Sequence, residues 1–381
     1  MTGLKSVDIV GVGNIGSQAA SHLARMPGTQ VTIIDPDVCE VSNISGQEIT
    51  PAAVGVPKAE FHAARLREIN PAARIRAIAL WVEQVPLGML RADVILGAVD
   101  SPRTRAYLSE AAWRLGIPYV DAAIDGEDML ARIQVFVPGP TSACYACCDH
   151  RFAVDTVFRC DPGLDAARAT PATQAPSTVG GLAAALLAIE CAKVLGGEED
   201  VLATDRRILI DARHHQHFVT RYERDSEQCR FDHESWSEDI LPVDWKGGAL
   251  PLADVLACGA EYLGGGGSLA LGSLTLEVFK QPFATLLRCA CGHAEDCLGL
   301  VGRLPVRGKT CPGCDQEMVA HAFDRADRLF TDEHAHSLNR SLASVGCLEG
   351  DIVTVTSTSE TSEDVHLELT EKQEDRRSQN V

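Results

Sequence analysis

The chain has 381 residues, 45% hydrophobic and 23% charged, a balance that excludes a wholly disordered polypeptide. At roughly 150 residues per domain it has room for two or three domains. Thirty-four basic against 53 acidic residues give a net charge of −19 with no polybasic block, which excludes a protein that tracks nucleic-acid phosphates.

The N-terminus enters an apolar run without a cleavage-site pattern, so no signal peptide is expected. Val7–Val10 reads as a strand, Gly11-Val12-Gly13-Asn14-Ile15-Gly16 as a tight turn, and Ala19, Ala20, Leu23 and Met26 as one face of a helix that Pro27-Gly28 stops. A second buried strand, Val31–Ile34, ends at Asp35. Helices follow at about 58–69 and 103–115, with strands at 93–99 and 117–120. This alternation predicts a doubly wound, Rossmann-like, mostly parallel sheet. Ile133–Val137 is a further strand, closed by Pro138-Gly139-Pro140. Residues 148–178 are polar, without periodicity, and read as a long functional or mobile loop. An apolar helix at 179–195 and a strand at 207–211 come next. The apolar stretch from Gly180 to Leu195 carries Glu190 and Lys193 and is read as too short to span a bilayer. A cytoplasmic protein without a membrane partner is expected.

Beyond Trp245 the texture changes, and a boundary is placed near residue 240. The expected organisation is 1–240, then a smaller domain at 241–369, then a disordered tail at 370–381. In the second domain, 352–355 and 365–369 suggest a hairpin. Fourteen cysteines without a secretion signal favour metal or thiol chemistry over disulfides. Cys289-Ala290-Cys291-Gly292 and Cys311-Pro312-Gly313-Cys314 have the pattern of a zinc ribbon, with Cys297 able to replace one ligand. His214, His215 and His217 follow a strand without an acidic partner at ligand spacing and are read as an exposed edge.

Gly11, Gly13 and Gly16 allow a phosphate to approach the backbone at a helix N-terminus, and Asp35 stands where a carboxylate can accept bonds from ribose hydroxyls. That pattern alone leaves both a dinucleotide and ATP open. The residues after it are more specific. Asp35-Pro36-Asp37-Val38-Cys39-Glu40-Val41-Ser42-Asn43-Ile44-Ser45-Gly46-Gln47 is close to Asp-x-Asp-x-Val-x-x-Ser-Asn-Leu-x-Arg-Gln. Val56-Pro57-Lys58-Ala59, Arg67-Glu68-Ile69-Asn70-Pro71, Asp100, Cys144-Tyr145-Ala146-Cys147 and Leu187–Lys193 follow in order. From residue 7 to about 233 the chain resembles the ThiF/MoeB family of ubiquitin-activating-like adenylyltransferases.

The resemblance implies that the glycine turn holds ATP with Asp35 on the ribose. Asn43 and Lys58 would contact the phosphates, Asp37 and Gln47 would belong to the same nucleotide set, and Asp100 would hold Mg²⁺. Lys58 and Asp100 would be the catalytic groups of adenylation. The chain departs from the family at Gly46, where an arginine is expected. Arg103, Arg105 or an arginine of a second subunit could compensate, since such enzymes resemble dimers with shared sites. Cys160, beside Arg159, falls where thiol-using members form a thioester, with Cys148 the next candidate. Cys144 and Cys147 would bind structural Zn²⁺ with a second pair that here reads Cys229-x3-His233. The implied activity is adenylation of the C-terminal glycine of a ubiquitin-like or sulfur-carrier protein. The appended domain favours a conjugation system with a conjugating enzyme, of the kind linked to antiviral defence, over thiamin or molybdopterin synthesis. A nicotinamide dehydrogenase and a non-catalytic adaptor are the readings from other classes.

Overall fold

The computed structural model describes residues 4–148, 175–225, 227–263, 273–303, 306, 308–358 and 364–371. These fall into two compact units, one made of 4–85, 90–148 and 175–235, the other of 86–89 and the described residues from 236 onward.

The first unit opens with β1 (Lys5–Val10), α1 (Asn14–Leu23) and β2 (Thr29–Ile34). Val7, Ile9, Val31 and Ile33 are fully buried, as expected for strands covered on both faces. Then come α2 (Lys58–Ile69), β3 (Arg74–Ile78), β4 (Val94–Gly97), α3 (Pro102–Leu115), β5 (Tyr119–Asp125), β6 (Leu130–Phe136), α4 (Tyr145–Cys148), α5 (Ser177–Gly196), β7 (Arg206–Asp211) and β8 (Gln216–Arg221). The boundaries of α3 are written in its chemistry. Ser101 accepts the Thr104 N–H at 3.3 Å, Pro102 fills the first turn, and Gly116 closes the helix at φ +68.

These strands form one eight-stranded sheet in the order β3-β2-β1-β4-β5-β6-β7-β8. The pairings from β3 to β5 are parallel, and β6, β7 and β8 extend the sheet antiparallel. β2 lies to one side of β1 and β5 to the far side of β4, so right-handed crossovers place α1 and α2 on one face and α3 on the other. The strand order reverses between β1 and β4. In such sheets a ligand crevice opens beyond the C-terminal ends of the strands at that point.

The sequence reading misses β3 and β8, both outer strands of this sheet. β3 alternates between exposed and half-buried residues, and β8 is exposed throughout, so neither has a continuous apolar signature. The apolar helix is also longer than the composition suggested. α5 runs 20 residues and is long and apolar enough to cross a membrane by length and composition alone. Here Val179, Ala183, Ala184, Leu187 and Cys191 pack into the sheet core with α1. Its Glu190 is buried, bonded to Lys193 at 2.6 Å and to the Ala203 N–H at 3.0 Å.

Asp8 is an unusual residue for a central strand. It is buried, one carboxylate oxygen has no partner among the described residues, and burial lifts its pKa to about 7 against a bond from Thr32 and the charge of Arg76. A carboxyl raised in the folded state holds its proton there while the unfolded chain has released it. Stability from this group is therefore complete at about pH 4 and is lost as pH rises toward 7. Asp8→Asn is expected to raise stability on the order of 2 kcal/mol at pH 8 and to change it little at pH 4.5. Denaturant titrations at the two pH values check this, and equal shifts at both would contradict it.

The second unit contains β9 (Ile240–Asp244), α6 (Leu252–Leu263), β10 (Leu274–Val278), β11 (Phe283–Arg288), β12 (Ala294–Leu300), β13 (Arg325–Ala326), β14 (Leu329–Phe330), β15 (Ile352–Ser357) and β16 (Asp364–Thr370). The expected hairpin is present as β15 and β16, paired from Ile352 with Glu368 to Thr356 with Asp364. It lies inside a five-stranded sheet, β14-β10-β15-β16-β9, in which β9 runs parallel to β16. Leu252, Val255 and Leu256 of α6 join Leu274, Leu276, Val353, Val355, Leu367 and Leu369 in its core. β12, β11 and β13 form a separate small sheet.

Candidate active site

The glycine turn emerges from β1 at the point where the strand order reverses, and the segment after β4 carrying Asp100 flanks it. Two glycines are required by the geometry. Gly11 has φ +83, and a Cβ there would lie 2.7 Å from the Ala98 carbonyl oxygen. A Cβ on Gly16 would lie 1.9 Å from the Gly11 carbonyl oxygen, so this residue lets α1 start hard against the turn. Gly13 meets only the Gln47 amide, 3.9 Å from where its Cβ would stand.

Asp35, at the end of β2, is buried and braces the turn. Its carboxylate accepts the Val12 N–H at 2.7 Å and the Asp37 N–H at 2.9 Å. Burial pushes its pKa up, opposed by Lys58 and the Val12 N–H. Lys58 is the first residue of α2, with its stem buried and its Nζ 2.8 Å from an Asp37 oxygen. Burial works against its charge, but Asp35 and Asp37 overcome this and hold its pKa above the ordinary lysine value. Asn43 is buried in a 3-10 helix, Val41–Ser45, and its side chain accepts the Glu40 N–H at 3.0 Å. The Gln47 Oε1 atom is buried with no partner among the described residues. Asp100 is exposed in the segment that follows β4.

A cradle where side chains are excluded, a buried cation held beside two carboxylates and an amide with unfilled bonding capacity suit a phosphorylated nucleotide. The Asp37 side chain is half exposed, so Lys58 can exchange it for a phosphate oxygen.

Arg105, a candidate to compensate for Gly46 at the phosphates, has its guanidinium committed elsewhere. It is buried and donates to Asp121 and to the Val99 carbonyl. Asp121, fully buried on β5, also accepts from Arg132 at 2.9 Å and from the Tyr119 hydroxyl at 2.9 Å. The network ties α3, β5 and β6 to the residue before Asp100. Sequence reasoning missed it, although a carboxylate inside Tyr119-Val120-Asp121-Ala122-Ala123 was the available signal, since buried charge requires partners. Arg103 is exposed on α3. A Cβ on Gly46 would make ordinary contacts, 3.5 Å from the Asn14 amide and the Ala175 carbonyl oxygen, so the position has room for a side chain.

Cys160 and Arg159 lie outside the described residues. Cys148 is at the end of α4, where its thiol donates to the Cys144 carbonyl at 3.4 Å and burial pushes its pKa far up. That leaves it a poor nucleophile. The histidines at 214, 215 and 217 are exposed at the β7–β8 turn and on β8. His214 does have an acidic partner, Asp211, at 2.8 Å.

Cys144, Cys147, Cys229 and His233, grouped through the family resemblance, lie together. Cys144 Sγ is 3.7 Å from Cys147 Sγ and 3.6 Å from Cys229 Sγ, and Cys147 Sγ is 3.2 Å from His233 Nε2. Sulfurs about 2.3 Å from a tetrahedral zinc would stand about 3.8 Å apart, so the donors fit that ion. Bonds from the neighbouring thiols of Cys144 and Cys229 pull Cys147 well below the ordinary thiol range. Trp113 of α3 packs edge-on against His233 and donates to its carbonyl at 2.8 Å, while Arg114 grips Asp232 with two bonds of 2.7 Å.

A model of the ThiF family matches residues 4–231, more than half of the sequence, and the chain belongs to that family. It is 30% identical over 157 residues to Ubiquitin-like modifier-activating enzyme 5 of Oryza sativa subsp. japonica, which covers 37% of each chain. It is 28% identical over 192 residues to Molybdopterin-synthase adenylyltransferase of Escherichia coli (strain K12), covering 50% of this chain and 72% of that protein. The chain spans little more than a third of the length of the rice relative. Among solved structures, that of the Microcin C7 biosynthetic enzyme MccB in complex with N-formylated MccA superposes with a TM-score of 0.50 at 23% identity, over 60% of this chain and 67% of that one. This likeness concerns the fold.

Proposed function

We propose that the chain is an ATP-dependent adenylyltransferase that activates the C-terminal carboxylate of a small ubiquitin-like or sulfur-carrier protein. The observation that supports this most is Lys58, buried at the start of α2 with its charge reinforced by Asp35 and Asp37, beside the glycine turn at the sheet's reversal point. Family membership and the named activities of the rice and E. coli relatives point the same way.

In this reading the triphosphate lies over the α1 N-terminus and Asp35 accepts from the ribose. A carboxylate oxygen of the carrier attacks the α-phosphorus as the bond to the β-phosphate oxygen breaks, and pyrophosphate leaves with the electron pair. Lys58 moves from Asp37 to the α-phosphate and meets the charge that develops there. Asp100 would hold Mg²⁺, which would supply charge neutralisation to the polyphosphate. Arg105 acts through Asp121 and the Val99 carbonyl, setting the position of the Asp100 segment. With Arg105 so engaged, Arg103 or an arginine of a second copy of the chain would supply the charge absent at Gly46. Zinc at Cys144, Cys147, Cys229 and His233 would pin α4 to the segment after β8. Transfer of the acyl group to the Cys160 thiolate, with AMP as leaving group, completes the proposal and draws on sequence placement beside Arg159.

ATP–pyrophosphate exchange tests it. Addition of a glycine-terminated ubiquitin-like or sulfur-carrier protein encoded next to this chain's gene is expected to start exchange. No exchange with any such neighbour would overturn adenylation and favour the adaptor reading.

A further inference from the structure

β11 and β12 form a hairpin whose tip carries Cys289 and Cys291, and Thr310 bridges Glu317 at the base of a second tight turn carrying Cys311 and Cys314. The two tips meet. Cys289 Sγ is 3.3 Å from Cys314 Sγ, Cys291 Sγ is 3.6 Å from Cys311 Sγ, and the four sulfurs all lie within 4.8 Å of one another. A disulfide would need about 2.05 Å, whereas thiolates around a tetrahedral zinc stand about 3.8 Å apart.

The backbone is arranged for bound thiolates. The Gly313 N–H donates to Cys311 Sγ at 3.4 Å. Donors of this kind orient metal-bound sulfur and hold its charge. The apolar cluster behind the tips is small: Ala284, Leu287, Val306, Met318 and Ala320, with Cys289 and Cys311. Phe283, Leu298 and Leu300 of the same hairpin belong to the larger core of the second unit, so a staple is needed to join the two tips rather than to hold the hairpin as a whole. Cys297 lies on β12 against that cluster and is not one of the four.

We propose that Cys289, Cys291, Cys311 and Cys314 bind a zinc ion that staples the β11–β12 hairpin to the 310–317 turn, so that the chain carries two zinc ions. All four positions are protein thiolates, which leaves no open position for water or substrate and makes the site structural. Four thiolates select a soft or borderline ion over magnesium or calcium, with iron as the competitor.

The test is the metal content of the full-length protein, purified without chelator or polyhistidine tag. Two zinc ions per chain are expected in the wild type, and one in a Cys311→Ser/Cys314→Ser double variant. One zinc in the wild type, two in the double variant, or iron in place of the second zinc overturns the proposal. If the double variant does not accumulate, cobalt exchange of the wild type decides. Its thiolate-to-cobalt absorption should correspond to seven cysteine ligands, three from the first cluster and four from the second, and intensity for three contradicts the assignment. Neither readout depends on adenylation, so each proposal can fail without the other.

Discussion

Lys58→Ala should lower ATP–pyrophosphate exchange by about 10²–10³-fold while the protein stays folded, the usual loss when a single preorganised charge is removed from a developing anion. The ammonium is buried beside two carboxylates, an expensive placement unless something more negative is to arrive. Its removal unpairs Asp37, whose half-exposed side chain water can solvate. Far-ultraviolet circular dichroism should therefore change little, while the melting midpoint should fall because buried Asp35 loses a compensating charge. Because the lysine pKa is raised, its charge persists past the ordinary lysine range, and exchange should not fall between pH 7 and 9 through loss of this proton. Exchange within threefold of the wild type would remove Lys58 from the chemistry.

Asp121→Ala should be the most damaging single change to the first unit, costing about 3–5 kcal/mol, because it leaves the buried Arg105 and the part-buried Arg132 without their shared counter-ion. Denaturant unfolding of the variant measures this directly. Asp121→Asn keeps the shape and one acceptor and should recover part of the loss. Either variant that stays folded should also show reduced exchange, because Arg105 no longer steadies the Val99 carbonyl and with it Asp100. A cost under 1 kcal/mol for Asp121→Ala would mean that the network is not a buried ion cluster in solution.

The sequence reading reached furthest where one residue type is the only physical solution. Gly11 and Gly16 cannot carry a side chain, so the turn, α1 and the carboxylate at the end of β2 could be placed from spacing. Cys144/Cys147, Cys289/Cys291 and Cys311/Cys314 are close pairs whose spacing suits a metal, and together with Cys229 and His233, which the family resemblance implied, they gather in two groups. It failed where partners are distant in sequence. Arg105 is close to Asp100 in sequence, yet its direction is set by Asp121, 16 residues away on β5. Cys148 looked reactive beside a cysteine pair, but the turn of α4 that positions Cys147 also buries its neighbour. The five-stranded sheet of the second unit was reduced to its hairpin, because β9, β10 and β14 are short and widely separated in the chain.

ATP, and not NAD⁺, is expected to occupy the glycine turn at the end of β1. Titration calorimetry of the full-length protein with magnesium–ATP and, separately, with NAD⁺ measures that directly. One ATP per chain is predicted, with a Kd on the order of 1 μM–1 mM, as for most enzyme substrates, weakened in Lys58→Ala, and no measurable heat with NAD⁺. Saturable NAD⁺ binding with no response to ATP would contradict it and return the glycine turn to the dehydrogenases.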